Sequence, residues 1–332
     1  MKVAVLGAGT WGYALASLLA SKNYNVWIWS YRPEQVEELQ RSREHPKLPG
    51  FPLPSNVTIT GSLKDALDHA DLCMEAVTSS GIRPVFQKIK ECGVPACPIV
   101  VTSKGIERDT GLLLAEVVLE VLGPQYKEQV GCLSGPSHAE ELVKGLPTSV
   151  VAAAYSHETM MAIAETFTTP RFRVYPNSDM QGVMFGGAMK NIIAIACGIS
   201  DGLGYGDNTK AILMTRGLHE IRKLAAAKGA DPETLNGLAG MGDLCVTCLS
   251  TLSRNYRFGN LIAEGKSPDE AKKAIGMAVE GAYSCLSAMQ IAEKSHVPLP
   301  ITETVYSILH DGLRPKEAVQ QLMQRPIKEE HL

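Results

Sequence analysis

Three glycines within the first twelve residues constrain this chain more than any other feature. The apolar run "KVAVLG" ends at Gly7, and "GAGTWG" then sets Gly7, Gly9 and Gly12 at the spacing G-x-G-x-x-G before the helical pattern "GYALASLLASKN". As a bare pattern the spacing is weak. Directly after a strand and opening a helix, it has the context of a dinucleotide-binding turn. The first glycine allows the tight turn, the second lets backbone approach a pyrophosphate, and the third lets helix and strand pack closely. Free N–H groups at the helix start then face the phosphates.

The alternation that begins there continues. Strand patterns fall at 2–7, 25–30, 57–60 ("VTIT"), 72–77 ("LCMEAV"), 98–103, 129–135, 148–154 and 172–177, with helical patterns such as "EQVEELQRS" and "SLKDALDHA" between them. This is the rhythm of βαβ units and a parallel sheet. From Met180 onward the pattern is helical. We therefore expect an α/β fold: an N-terminal Rossmann-type, doubly wound, mostly parallel sheet over residues 1–179, and an all-helical domain over 180–332. A length of 332 residues suits two cores better than one.

Composition narrows the partners. With 45% hydrophobic and 20% charged residues, a net charge of -3 and a pI near 6.3, the chain offers no broad basic surface for nucleic acid or an anionic membrane. Any basic site must be local. The amino terminus resembles a signal peptide only superficially, because the three glycines interrupt its apolar run, and no other segment reads as a membrane span, so a cytoplasmic protein without membrane insertion is expected. The eight cysteines are scattered through mostly apolar segments, as reduced core thiols are. Cys245 and Cys248 form a single C-x-x-C with no second ligand pair nearby, so no metal is expected.

The end of the second strand bears on the nucleotide. An NAD-selective site usually has Asp or Glu there to take the ribose 2′-hydroxyl, whereas this chain has "WSYRPE", with Ser30, Tyr31 and Arg32. Arg32 suits a 2′-phosphate and Glu34 lies close by, so NADP or NAD is the expected cofactor. Other strand ends give "AVTSSG", "VTSKG" and "LSGPSHAEE". Topology thus brings Lys104 to the ligand side of the sheet. Gly135 exposes backbone, Ser137 is placed to cap the helix carrying Glu140 and Glu141, and His138 reads as structural.

In the helical half, "GGAMKNIIAIACGISDG" carries one lysine, Lys190, among Gly186, Gly187, Ile193 and Ala194 one turn away. No carboxylate is within helical reach. The bland reading is a snorkelling ammonium; the sharper one is a lysine aimed at a ligand, with small neighbours leaving room for it. "GLAGMGDLCVT" adds Asp243, "LSTLSRNYRFG" adds Ser253, Arg254, Asn255 and Arg257, and "AVEG" adds Glu280.

Taken together, "GAGTWG", "TSKGIE", "SGPSHAEE", "FRVYPNSD", "GGAMKNIIAIACGISDGLGYGDNTKA", "TRGLHEI", "GLAGMGDLCVTC", "SRNYRFG" and "VEG" resemble, in order and spacing, the bacterial NAD(P)-dependent glycerol-3-phosphate dehydrogenases. The resemblance runs from Val3 to about Leu322. It implies interconversion of dihydroxyacetone phosphate and sn-glycerol 3-phosphate for phospholipid synthesis, by a homodimer. It implies Lys190 as the proton donor and acceptor. Lys104, Gly135, Ser137, Asp243, Ser253, Arg254 and Asn255 would contact substrate, and Gly7, Gly9, Thr10, Trp11, Gly12, Arg32, Lys104, Ala139, Arg254, Ala278 and Glu280 the cofactor. One departure stands out: "TSSGIRP" (78–84) replaces the family's common "VPS" pattern, next to the expected nicotinamide surround. A β-hydroxyacid dehydrogenase shares the two-domain plan, but the immediate "KN" and the "SRN" turn argue against it. A non-catalytic NADP sensor would not need Lys104, Lys190 and Asp243 together. If both lie near Lys190, Lys104 and Asp243 push its pKa in opposite directions.

Overall fold

The computed structural model describes residues 1–326 and 329–330. The chain separates into two compact units, one of residues 1–103 and 114–180, the other of 104–113 and 181–332. Lys104, which topology assigns to a strand end, therefore belongs with the second unit.

In the first unit, β1 (Lys2–Leu6), β2 (Asn25–Trp29), β3 (Val57–Thr60), β4 (Leu72–Glu75), β5 (Ile99–Val101), β6 (Val130–Ser134), β7 (Thr148–Ala154) and β8 (Phe172–Asn177) form one sheet of order β3-β2-β1-β4-β5-β6-β7-β8. All neighbours are parallel except β6 and β7, which run antiparallel. Each expected strand is present, and the sheet is mostly parallel as the rhythm of the sequence requires. The helices are α1 (Thr10–Ser21), α2 (Pro33–Ser42), α3 (Leu63–Leu67), α4 (Ile82–Cys92), α5 (Leu114–Leu122), α6 (Ala139–Val143) and α7 (His157–Phe167). α3 is shorter than "SLKDALDHA" promises: Ser62 caps its start, and Asp68 already leaves the helix. The core is built from strand residues such as Val3, Val5, Val26, Ile28 and Val100, with Leu15 and Leu19 of α1 and Phe167 of α7 laid on them. Strand order reverses between β1 and β4, which makes the carboxyl ends of those two strands the place where ligands of such sheets bind.

The second unit is helical: α8 (Met180–Gly202, whose first residue belongs to the first unit), α9 (Asp207–Ala227), a π-helical turn at Leu238–Gly242, α10 (Asp243–Leu249), α11 (Arg254–Ala263), α12 (Pro268–Ile275), α13 (Glu280–Ser295), α14 (Pro300–His310) and α15 (Pro315–Met323). Its 104–113 segment folds back through a bridge between Ile106 and Leu113. By length and hydropathy α8 qualifies as a membrane span, which the sequence reading overlooks, yet its whole apolar window is buried inside the protein. Glycine explains how it fits. A Cβ on Gly186 would collide with the Ala239 carbonyl, and one on Gly198 with the Tyr256 carbonyl, so α8 runs nearly backbone to backbone against its neighbours. Gly186 is thus a packing residue and not the space for a ligand that the sequence suggests.

Candidate active site

The glycine turn of the first unit has the shape its sequence calls for. Gly7 adopts φ +123°, and a Cβ there would strike the carbonyl of Ala76 just beyond β4. Gly12 packs equally closely on Gly7 and Ala76, whereas Gly9 faces open space and is exposed. α1 starts at Thr10 and Trp11 with Gly9 as its N-cap and no side chain capping it. Those features fit a bound pyrophosphate, which brings the acceptors such a helix start lacks. Gln35 steadies the turn: its Nε2 donates to Ala8 O at 2.8 Å, and its Oε1 accepts from Ser30 Oγ at 2.8 Å. Sequence reading missed Gln35, since one polar residue on a polar helix gives no signal. Arg32 is exposed at the start of α2, its guanidinium 5.5 Å from the ring of Tyr31. Glu34 is exposed in the first turn of the same helix.

The "SGPSHAEE" turn differs from expectation in one respect. Gly135 has φ +129°, and in the turn it makes, Ser137 Oγ donates back to Gly135 O at 2.8 Å. Ser137 is therefore no helix cap: His138 holds the N-cap position of α6, without a capping side-chain bond, and Ala139 is its first residue.

In the second unit, Lys190 does not snorkel. It lies in the middle of α8 and is only 7% exposed, and Asp243, 0% exposed, meets it from the first turn of α10. Lys190 Nζ donates to Asp243 Oδ1 and, at 2.8 Å, to Thr247 Oγ1; Thr247 Oγ1 in turn donates to the Asp243 carbonyl at 2.6 Å. Lys104 Nζ donates to the other carboxylate oxygen, Oδ2, at 2.7 Å. One buried carboxylate thus holds two ammonium groups. Burial pulls the Lys190 pKa down to about 7; the charge of Asp243 works upward against it, and that of Lys104 adds to the fall.

A second cluster adjoins the first along the chain. Asn191 follows Lys190, and its Oδ1 accepts from Asn255 Nδ2 at 2.9 Å, while Asn255 Oδ1 accepts from the Gly281 N–H at 2.9 Å. The amide of Asn255 thereby ties α8 to the start of α13, where Ala278 and Glu280 lie. Ser253 caps α11 by accepting from Tyr256 N at 3.2 Å, and Arg254 is the first residue of that helix. Thr247 and Asn191 are the polar residues that sequence reading missed here; the i, i+4 spacing of Thr247 from Asp243 was the available signal. None of the eight cysteines is in a disulfide, and Cys248 is buried with its thiol pushed well up by burial. Among the described residues, no group of three or more His, Cys, Asp or Glu side chains could hold a metal ion.

A sheet of this order with a glycine turn at its switch point, joined to a helical unit with a buried lysine–carboxylate pair, defines a nicotinamide-dependent oxidoreductase. The chain belongs to the NAD-dependent glycerol-3-phosphate dehydrogenase family, whose N-terminal model matches residues 2–160 and whose C-terminal model matches residues 179–320. Among curated relatives, it is 56% identical over 331 residues to the glycerol-3-phosphate dehydrogenase [NAD(P)+] of Protochlamydia amoebophila, covering 100% of this chain and 99% of that one. It is 54% identical to that of Chlamydia abortus with the same coverage. A crystal structure of glycerol-3-phosphate dehydrogenase from Coxiella burnetii is similar at a TM-score of 0.93 and 41% identity, covering 98% of this chain and 99% of that one.

Proposed function

We infer that this chain catalyses reversible hydride transfer between NAD(P)H and dihydroxyacetone phosphate, giving sn-glycerol 3-phosphate, a product suited to glycerophospholipid synthesis. The first unit binds the dinucleotide through Gly7, Gly9, Thr10, Trp11 and Gly12, with Arg32 beside the adenosine ribose. Ala139, Ala278 and Glu280 complete the cofactor contacts. The second unit, including Lys104, holds the proton chemistry.

The observation that carries the reading is how the donors of Lys190 are used. An ammonium has three N–H groups. Two go to Asp243 and Thr247, which leaves one for a substrate oxygen. When the ketone carbon takes a hydride, its oxygen becomes an alkoxide that needs a proton within hydrogen-bond reach. Lys190 supplies it through the third N–H. Neutral Lys190 keeps its two bonds and turns its lone pair to the same place, ready to take the hydroxyl proton in the reverse direction. A pKa near 7 leaves both forms populated at neutral pH.

The bound dinucleotide supplies the hydride, and everything else falls to side chains. Lys104 shares Asp243 and polarises the substrate oxygen. Arg254, with backbone N–H groups at the start of the ten-residue helix α11, takes the phosphate, helped by the positive end of the helix. Asn255 and the hydroxyl proton of Ser253 add donors there, while Gly135 and Ser137 contribute the "SGPS" turn. We also assign a homodimer in the cytoplasm, a placement that eight thiols outside any disulfide support. Following NADPH absorbance, as dihydroxyacetone phosphate oxidises it and, in the control, as a 3-hydroxyacid regenerates it from NADP+, tests the activity. Oxidation of NADPH by dihydroxyacetone phosphate is expected; turnover with the 3-hydroxyacid series alone would overturn it.

A further inference from the structure

The mechanism leaves two buried acids unused: Glu220, whose carboxylate takes the Ile301 and Thr302 N–H groups at the start of α14, and Glu75, which lies beside the glycine turn. Glu75 ends β4 with 0% exposure, paired in register with Leu6 at the end of β1. It lies just before "TSSGIRP", the stretch that departs from the family's pattern.

Its surroundings bear on its proton. Glu75 Oε1 accepts from Val77 N at 2.6 Å, and Oε2 accepts from Ser103 N at 3.3 Å. Ser103 Oγ lies 2.7 Å from Glu75 Oε1 and is also bonded to the Val77 carbonyl. A serine hydroxyl has one proton and cannot donate to two acceptors at once. If it serves Val77 O, the contact with Oε1 is a hydrogen bond only when the carboxyl carries the second proton. Thr102 Oγ1 adds a bond of 2.6 Å to the Glu75 carbonyl, so the loop after β5 is bound to β4 twice over.

The clasp lies under the cofactor turn. The backbone it holds, Ala76 and Val77, is the backbone on which Gly7 packs without room for a Cβ, and Gly12 packs on Gly7 and on the Ala76 methyl. We propose that Glu75, held as a neutral carboxylic acid, is the positioning residue that fixes Ala76–Val77 beneath the glycine turn, and that its ionisation weakens dinucleotide binding. Ionised Glu75 would compete with Val77 O for the one hydroxyl proton of Ser103, and would place a charge beneath a pyrophosphate. Burial, which pushes this carboxyl up to about 7 against the pull of its hydrogen bonds, agrees with the neutral form.

Few other groups titrate against it. On β4 the Cys73 thiol is itself pushed well up by burial, and β5 offers only Ile99, Val100 and Val101. On β1, Lys2 is at the far end and donates to the carbonyls of Asp65 and Asp68. On the flanking helices Tyr13 faces the carbonyls of Arg43 and Phe51, Arg83 pairs with Glu120, and Lys90 donates to Val121 O. In the loop after β5, Lys104 is paired with Asp243.

The proposal rests on the dinucleotide reading above, and the test separates the two. NADH is titrated into the full-length protein at pH 6.0 and 8.5; NADPH is avoided because its 2′-phosphate itself titrates near neutrality. The wild-type Kd is expected to weaken about tenfold or more, toward a limit of about 30-fold if only the protonated form binds. Lys190→Met should keep that dependence. Glu75→Gln, a near-isostere that does not titrate, should bind NADH with a Kd that changes less than about twofold over the same range. A wild-type Kd that ignores pH, or a dependence that survives in Glu75→Gln, overturns the proposal and leaves the dinucleotide site standing. Absence of NADH binding by the wild type at both pH values overturns both.

Discussion

The carboxylate of Asp243 is divided between two lysines, Oδ1 holding Lys190 and Oδ2 holding Lys104. These residues are far apart in sequence and come from α8, α10 and the segment after β5. Buried charges persist when paired and hydrogen-bonded, and removing one partner from such a set usually costs about 3–5 kcal/mol. Here the arrangement also sets the proton affinity of Lys190, the lysine to which we assign the proton transfer.

Substituting Lys190 by Met keeps the volume of the side chain and removes the proton. Turnover should fall by about 10²–10⁴-fold, the usual contribution of a positioned acid–base group. NADH binding, measured by fluorescence titration, should remain within about twofold, since the glycine turn is untouched. Near-normal turnover in this variant would mean that another group carries the proton.

The two neighbours of Lys190 should move its titration in opposite directions. Asp243 favours the charged form and Lys104 disfavours it. In Asp243→Asn, the midpoint of the pH profile for ketone reduction should shift to lower pH; in Lys104→Met it should shift to higher pH. Both profiles are read from kcat/KM at saturating NADH. Equal shifts of the same sign would show that the Coulombic account is wrong.

Arg254→Ala removes a charge-assisted donor, worth about 1.5–3 kcal/mol. The KM for dihydroxyacetone phosphate should therefore rise about 10- to 100-fold while kcat changes far less. A KM that stays put would take the phosphate away from the start of α11.

Gly186→Ala places a methyl group against the Ala239 carbonyl. Overpacking of this kind costs about 1–3 kcal/mol, which a shift of the urea midpoint reports. An unchanged midpoint would imply that α8 and the Leu238–Gly242 turn move apart freely.

Much of the fold was legible in the chain because it depends on local pattern. The strands of the sheet are runs of β-branched and apolar residues bounded by turns, and the glycine turn announces itself by spacing. For the candidate site the chain offers individual residues but not their arrangement. Asp243 comes to Lys190 from another helix, and no periodicity within α8 could reveal it. Gly186 reads as open space because a sequence does not show that the Ala239 backbone fills it. Ser137 reads as a cap because serine often is one, while the φ of Gly135 turns its hydroxyl to a carbonyl instead. Glu75 is a single acidic letter within "LCMEAV", and only the pairing of β4 with β1 and β5 places it under the glycine turn.

The central claim is that one group, Lys190, gives the proton in reduction and takes it in oxidation, with a pKa of about 7. Its most direct test is the pH dependence of kcat/KM in both directions on the wild-type protein, with the cofactor saturating. The range should lie above about pH 6.5, where the substrate phosphate stays largely dianionic. Reduction needs the charged lysine and should decline as pH rises through about 7; oxidation needs the neutral lysine and should increase through the same midpoint. Two profiles that bend in the same direction, or that stay flat to pH 9, would contradict the assignment.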